Sequence, residues 1–397
     1  MSTITRRPTV PVNVGGVVVG GAAPIPVQTM TKTQTEDVAA TLAQIERAAK
    51  AGADIIRVTC DTPEAGVAMR EIVRGSPIPI IADVHYDAPL ALRALEAGIA
   101  CLRLNPGNIT DPAKVRDIAA EAAARNVPIR IGVNSGSIPQ RKDLPGGRGA
   151  TIDEAAEHMV QAALGHIRIL EELDFRNIKV SLKASDVLTN IAVNRRFAAL
   201  GNRYPLHLGL TEAGPVESGS VKSAMGIGIL LAEGIGDTIR VSLVGEPEDE
   251  VRVGRQILQN LSEKGNGPNL IACPTCGRLE IDMFPMVARV EAALRDVRRT
   301  INVSVMGCVV NGPGEGMHAD IGIAGGRQKG ILYRGGKVIA SLPQEELIER
   351  LISELGAIAA EDARLLAAGE PLPTGLGDAD GEGDGGRALR PLPVSAG

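Results

Sequence analysis

Ile55-Ile56-Arg57-Val58-Thr59-Cys60-Asp61-Thr62-Pro63 is the stretch whose reading decides the fold. Ile55–Cys60 is a short β-rich run. Arg57 and Thr59 stand two apart in it, so both side chains face the same way. Thr62-Pro63 follows at once as a cap and a first-turn proline, which is a helix start. Just upstream, Val38, Leu42, Ile45 and Ala49 form one apolar stripe at helical spacing, and Gly52 ends that helix. The segment is therefore a helix, a strand and a second helix joined by short turns.

The same unit recurs. β-rich runs lie at Val27–Thr31, Ile55–Cys60, Pro79–His85, Cys101–Leu104, Ile129–Val133, Ile178–Leu182, Leu206–Leu210 and Thr238–Leu243. Most begin 22 to 32 residues after the one before, the spacing of parallel strands joined by helical crossovers. One interval is longer, because Ser135–Ala150 inserts a Gly/Pro-rich loop. Asp111-Pro112 repeats the cap-and-proline start, and Thr151-Ile152-Asp153-Glu154 reads as a capping box. Eight strand–helix units match a TIM barrel of roughly 250 residues, assigned to residues 1–264. A doubly wound open sheet competes, but the regular eightfold alternation favours the barrel. Val12–Ala23 reads as a Gly-rich hairpin, too short to span a bilayer. Gly226-x-Gly228 lacks the strand, helix and ribose acid of a dinucleotide fingerprint.

Residues 265–360 read as a separate, smaller α+β domain. It holds a cysteine pair, a helix near Met286–Arg299, strands at Asn302–Met306, Ile321–Ala324, Gly330–Tyr333 and Lys337–Ala340, and a helix Gln344–Leu355. Residues 361–397 are expected to be a disordered tail, acidic and Gly-rich around Gly377–Gly386.

Bulk properties exclude several function classes. The chain has 397 residues, a net charge of −5, no Trp, three Tyr and three Phe. It lacks both the basic surface and the stacking aromatics of a nucleic-acid binder. Five cysteines, an odd number, fit a reducing compartment better than a disulfide scaffold. No signal peptide or membrane span is evident, so the protein is read as cytoplasmic, with no membrane partner.

In such a barrel the active site lies at the C-terminal ends of the strands. Arg57, Arg103, Arg130, Lys183 and Arg240 all fall there and should converge on one mouth. Such a ring of cations is costly to desolvate unless a multiply charged anion joins it. Arginine offers phosphate bidentate geometry, so the ligand is expected to be a diphosphate or a similarly dense anion. Asp83, His85, Asn105, Asn134 and Ser242 line the same ends and can orient hydroxyls or move protons. Glu212, in Leu210-Thr211-Glu212-Ala213-Gly214, is the best general acid–base candidate, against a plain role as counter-ion to the arginines. His158, His166 and His207 have weaker claims, being helical or early in a strand.

Cys273-Pro274-Thr275-Cys276 and Cys308 form a possible three-thiolate metal site with an open position. An iron–sulfur cluster and a zinc knuckle recruiting His318 both fit that spacing. Cys60 and Cys101 lie in apolar runs and read as small buried hydrophobes. Two rival readings follow: a zinc-stabilised barrel transferase acting on a phosphorylated substrate, and a metal-bearing interaction module.

Six segments together carry a resemblance: Pro26–Thr31, Leu102–Asn108, Arg130–Ser137, Leu210–Gly214, Cys273–Arg278 and Gly307–Glu315. The chain resembles the 4-hydroxy-3-methylbut-2-en-1-yl diphosphate synthase family over about residues 5 to 360, in its compact bacterial form. The resemblance implies reductive conversion of 2-C-methyl-D-erythritol 2,4-cyclodiphosphate on the methylerythritol phosphate route to isoprenoids. It also implies a 4Fe–4S cluster on Cys273, Cys276, Cys308 and Glu315, with flavodoxin or ferredoxin as electron donor. An eighth helix returns the chain to the barrel's bottom, away from the mouth. A head-to-tail homodimer, pairing one subunit's cluster domain with the other's barrel, resolves that difficulty, and the resemblance supports it.

Overall fold

The computed structural model describes residues 4–85, 87–109, 111–137, 151–261, 267–308, 314, 318–373 and 375–376. Its backbone contacts separate two compact units, Met1–Leu261 and Ser262–Gly397.

The first unit opens with a hairpin of β1 (Val12–Val14) and β2 (Val17–Val19). Eight strands follow: β3 (Gln28–Met30), β4 (Ile55–Thr59), β5 (Ile80–Asp83), β6 (Cys101–Arg103), β7 (Ile129–Asn134), β8 (Ile178–Lys183), β9 (His207–Leu208) and β10 (Thr238–Ile239). Helices α1 (Val38–Lys50), α2 (Pro63–Gly75), α3 (Ala88–Glu96), α4 (Pro112–Ala124), α5 (Ile152–Glu171), α6 (Val187–Ala199), α7 (Val216–Ala232) and α8 (Pro247–Leu261) come one after each strand. β3 to β8 form one parallel sheet. The bridge Val180↔Leu206 joins β9 to β8, β9 pairs with β10, and Val27↔Ile239 closes the ring. The last two expected runs are regular over only two residues each, so the ring is thinnest there.

The local signals act as their chemistry dictates. The Thr62 hydroxyl accepts from Ala65 N–H at 3.0 Å, and Asp111 accepts from Ala113 N–H at 2.9 Å. Both halves of the Thr151–Glu154 capping box form. Gly52 takes a φ of 103°, a left-handed value that favours glycine.

Alternation sorts the strand side chains. Ile56, Val58, Ala82, Leu102, Ile131, Val180, Leu208 and Ile239 face the helices and build the main core. Val12, Val14 and Val19 of the hairpin pack on Ile55, Ile81 and Cys101, plugging the floor of the barrel. Cys60 and Cys101 are fully buried free thiols, and burial pushes Cys60 up to about 11.

In the second unit, β11 (Asn269–Ala272), β12 (Asn302–Met306), β13 (Ile321–Ala324), β14 (Gly330–Arg334) and β15 (Lys337–Leu342) form one mixed sheet in that order. α9 (Met283–Leu294) and α10 (Gln344–Ala367) pack on it through Met286, Val290, Leu347, Leu351 and Leu355. α9 begins and ends earlier than the expected helix at Met286–Arg299. α10 outruns Leu355 by three turns, so residues 361–367, expected in the tail, are helical. The reason is Asp362, fully buried against Arg299, with a carboxylate that also accepts from Arg298 N–H and Arg299 N–H at 2.8 and 2.9 Å. Residues 377–397 lie outside the described residues. No described helix is long and apolar enough to cross a membrane.

Candidate active site

Following the register around the ring sorts the inward side chains into layers. Ile55, Cys101, Lys179 and Thr238 make the floor. Gln28, Ile81, Arg130 and His207 come next, then Arg57, Arg103, Ser181 and Arg240. Met30, Asp83, Gly132 and Gly209 follow, and Thr59, Asn105, Lys183 and Ser242 form the rim. Arg130 thus lies in the second layer, Arg57, Arg103 and Arg240 in the third, and Lys183 at the rim of one narrow interior.

Asp83 is the carboxylate among them. It lies 3.4 Å from Arg57 Nε, 3.3 Å from Arg103 Nη1 and 3.5 Å from His85 Nε2. Burial alone would raise its carboxyl, but Arg57, the His85 hydrogen bond and Arg103 together hold it well below the usual range. Arg103 Nη1 donates to His85 Nδ1 at 2.9 Å, and His85 remains 45% exposed at the rim. Arg130 donates from Nε and Nη2 to Ser181 Oγ at 3.2 and 2.8 Å. Burial first, then Arg57 and Arg103, pushes Arg130 well below its ordinary value. Burial likewise lowers Lys183, followed by Arg130, Arg240 and Arg57, and brings Arg240 down to about 10. An arginine does not shed its proton in a protein, so these shifts register burial first and mutual repulsion second, and an incoming anion would relieve the repulsion.

The remaining rim residues divide. Asn105 uses its amide on both sides of one residue, donating to Gly132 O at 2.7 Å and accepting from Gly132 N–H at 2.9 Å. It therefore braces β6 against β7. Asn134 and Ser242 are half-buried at the ends of β7 and β10. Gly209 leaves room for Lys183, since a β-carbon there would stand 2.6 Å from Lys183 Nζ and 2.3 Å from Arg240 O.

Glu212 is exposed on the loop after β9, with a φ of 54°. That backbone costs a non-glycine residue about 1–2 kcal/mol. It is held on both sides: Thr211 N–H donates to Ala184 O at 3.1 Å, and Gly214 O accepts from Val244 N–H at 3.0 Å.

The interior also holds groups that the sequence reading passes over, Lys179, Gln28 and Glu250, and two histidines to which it gives weaker claims. Lys179 and Gln28 are fully buried in the lower layers, as is His207 early in β9. His166 on α5 accepts from Gly107 N–H at 3.0 Å and so holds the loop after β6. Glu250, in the first turn of α8, is buried at the rim beside Lys32 and Arg240. Alternation along β3, β8 and β9 was the signal available for Gln28, Lys179 and His207; nothing local distinguishes Glu250 from its acidic neighbours Glu248 and Asp249.

In the second unit, Cys273 and Cys308 follow the adjacent parallel strands β11 and β12, in register at Ala272↔Val305. Cys273 N–H donates to Val305 O at 3.0 Å. Cys276 is exposed beyond Thr275, whose φ is 67°. All three thiols are free. Glu315 lies outside the described residues. Among the described residues, no three His, Cys, Asp or Glu side chains gather tightly enough to hold a single metal ion. A cluster spreads its irons over a cube, so its thiolates need not meet at one atom. Free thiols just past the ends of β11 and β12, with a third, exposed one three residues beyond Cys273, fit such a group.

Two family models match the chain: the GcpE TIM-barrel domain over residues 9–255, and the GcpE protein C-terminal domain over residues 269–357. The chain is also similar to proteins named 4-hydroxy-3-methylbut-2-en-1-yl diphosphate synthase (flavodoxin). That of Magnetococcus marinus is 51% identical over 354 residues, covering 89% of this chain and 94% of the relative. That of Geobacter sulfurreducens is 51% identical over 350 residues, 88% of this chain and 98% of the relative. A third, from Dehalococcoides mccartyi, is 49% identical over 355 residues, 89% of this chain and all of the relative. Barrel and C-terminal unit are matched alike, and the chain belongs to the GcpE family.

Proposed function

We propose that this chain is a 4-hydroxy-3-methylbut-2-en-1-yl diphosphate synthase. It opens the ring of 2-C-methyl-D-erythritol 2,4-cyclodiphosphate, takes up two electrons and two protons, and releases one water with the linear diphosphate. The observation that carries the reading is the closed barrel lined by Arg57, Arg103, Arg130, Lys183 and Arg240, with the Asp83 carboxylate between Arg57 and Arg103. A dense anion belongs in that field, and relatives similar along nine-tenths of the chain are named for a diphosphate product.

Each residue then has a task. The five cations hold the two phosphates, with Arg130 fixed by Ser181 and Lys183 admitted by Gly209. Asp83 keeps Arg57 and Arg103 apart and aimed. His85, Asn134 and Ser242 orient substrate hydroxyls at the rim, and Asn105 braces the wall beneath them. Glu212 delivers a proton to the departing hydroxyl, and its strained, doubly anchored backbone keeps the carboxylate on station. A 4Fe–4S cluster held by Cys273, Cys276, Cys308 and Glu315 would supply electrons one at a time. Flavodoxin, or alternatively a ferredoxin, delivers them. The working assembly is a head-to-tail homodimer in which one subunit's cluster unit serves the other's barrel, and free thiols suit the cytoplasm.

Iron and sulfide analysis of anaerobically purified protein, followed by turnover with reduced flavodoxin, tests the reading. Iron-dependent product formation is expected; full turnover by colourless, iron-free protein would overturn it, and zinc without iron would favour the transferase reading instead. Glu212→Gln should abolish turnover while iron content and substrate binding persist, and near-normal activity would remove Glu212 from the mechanism. Mixing a Cys308→Ala subunit with a Glu212→Gln subunit should restore activity; mixed dimers that stay inactive count against the facing arrangement.

A further inference from the structure

The barrel is thinnest where its last strand meets its first. β10 and β3 share one backbone bridge, Val27↔Ile239, with Ile239 N–H donating to Pro26 O at 3.1 Å. Toward the mouth no further bridge joins them among the described residues. The Glu250 carboxylate reaches that seam from α8. Its Oε2 accepts from Thr29 Oγ1 at 2.7 Å and lies 3.7 Å from Arg240 Nε. Its Oε1 accepts from Leu243 N–H at 3.1 Å and lies 3.3 Å from Lys32 Nζ. Thr29 and Lys32 belong to the β3 side of the seam, Arg240 and Leu243 to the β10 side. Lys32 Nζ crosses as well, donating to Leu243 O at 2.9 Å and to Gly245 O.

We infer that Glu250 is a positioning residue that bridges the barrel seam and sets the aim of Arg240 toward the substrate diphosphate. A carboxylate that is 1% exposed persists in a fold only when its oxygens are compensated, and here each oxygen accepts one hydrogen bond and has one cation within 4 Å, the two coming from opposite sides of the seam. The α8 N-terminus favours the negative charge further. Glu250 thus pairs with the Nε side of Arg240 at 3.7 Å, which leaves the terminal nitrogens of the guanidinium for the cationic interior. Lys32, by contrast, is consumed by the seam. The inference rests on the reading of Arg240 as a diphosphate ligand.

Electrostatics and positioning predict opposite outcomes for Glu250→Gln. Deleting a negative charge beside an anion site tightens anion binding if charge alone matters, whereas losing the brace weakens it. The experiment measures the Kd of the cyclic diphosphate by calorimetry on cluster-loaded protein without reductant, recording melting temperature and iron content alongside. Glu250→Gln is expected to raise Kd about tenfold, the loss of one well-placed charge-assisted contact. Arg240→Met should do at least as much, and the double variant should bind no worse than Arg240→Met alone. Thr29→Val is a milder probe that keeps both charges. It should raise Kd roughly threefold, the scale of one hydrogen bond, and should have no effect in the Arg240→Met background. Unchanged or tighter binding in Glu250→Gln or Thr29→Val, or additive losses in either double variant, overturns the inference. An unchanged Kd in Arg240→Met removes the ligand reading, and the inference falls with it.

Discussion

Asp83→Asn keeps the shape of the side chain and removes its charge, so it isolates what one carboxylate does among the barrel cations. The side chain is 6% exposed and stands 3.3 to 3.5 Å from Arg103, Arg57 and His85. Without it, two guanidiniums that are only 12% and 8% exposed face each other with no carboxylate between them. Breaking a buried ion pair from one side costs about 3–5 kcal/mol. At about 2–4 °C per kcal/mol for a unit of this size, the barrel's melting transition should fall by roughly 6–20 °C at pH 7.5. Scanning calorimetry on substrate-free protein reads this directly. The pH dependence follows from the sign of the shift. A folded carboxyl held below its unfolded value of about 3.9 stabilises fully above that pH, and the gain fades as pH falls through the folded value. The gap between wild type and variant is therefore wide at neutral pH and closes only below about pH 4. Saturating cyclic diphosphate should narrow the gap as well, because the ligand supplies the missing negative charge. A variant that melts with the wild type at pH 7.5 would refute this account of the interior.

Gly209→Ala should cost about 1–3 kcal/mol and weaken substrate binding, because the new methyl meets Arg240 O and drives Lys183 aside; calorimetric binding that matches wild type would show Lys183 to be elsewhere. Asp362→Ala should destabilise the second unit by about 3–5 kcal/mol, through the stranded Arg299, and so lower its melting transition. A chain ending at residue 360 should show the same loss, and an unchanged midpoint would make the end of α10 dispensable. Cys276→Ala should lose bound iron and turnover while retaining affinity for the cyclic diphosphate; full iron content in that variant would take Cys276 out of the ligand set.

The boundary between legible and hidden features follows the range of the forces involved. Thr62-Pro63, Asp111-Pro112 and the Thr151–Glu154 box act within one helical turn, so they could be placed without coordinates. The same holds for Arg57, Arg103, Arg130, Lys183 and Arg240, because two-residue alternation in each strand selects the inward face. The end of α10 was hidden for a different reason. Ile358 and Leu365 continue the apolar stripe, but Gly356 and the acidic pair Glu361-Asp362 make the segment look like solvent-exposed chain.

The residues alone determined eight strand–helix units, a set of inward-facing cations and a thiol-bearing second unit, because side-chain periodicity and capping depend on neighbours a few positions away. Tertiary structure decided which charges share a layer, that Asp83 stands between Arg57 and Arg103, and that Glu250 crosses a seam between strands more than 200 residues apart in the chain. Those outcomes depend on the stagger with which the ring closes, and no local pattern encodes a register set by contacts between the two ends of a barrel.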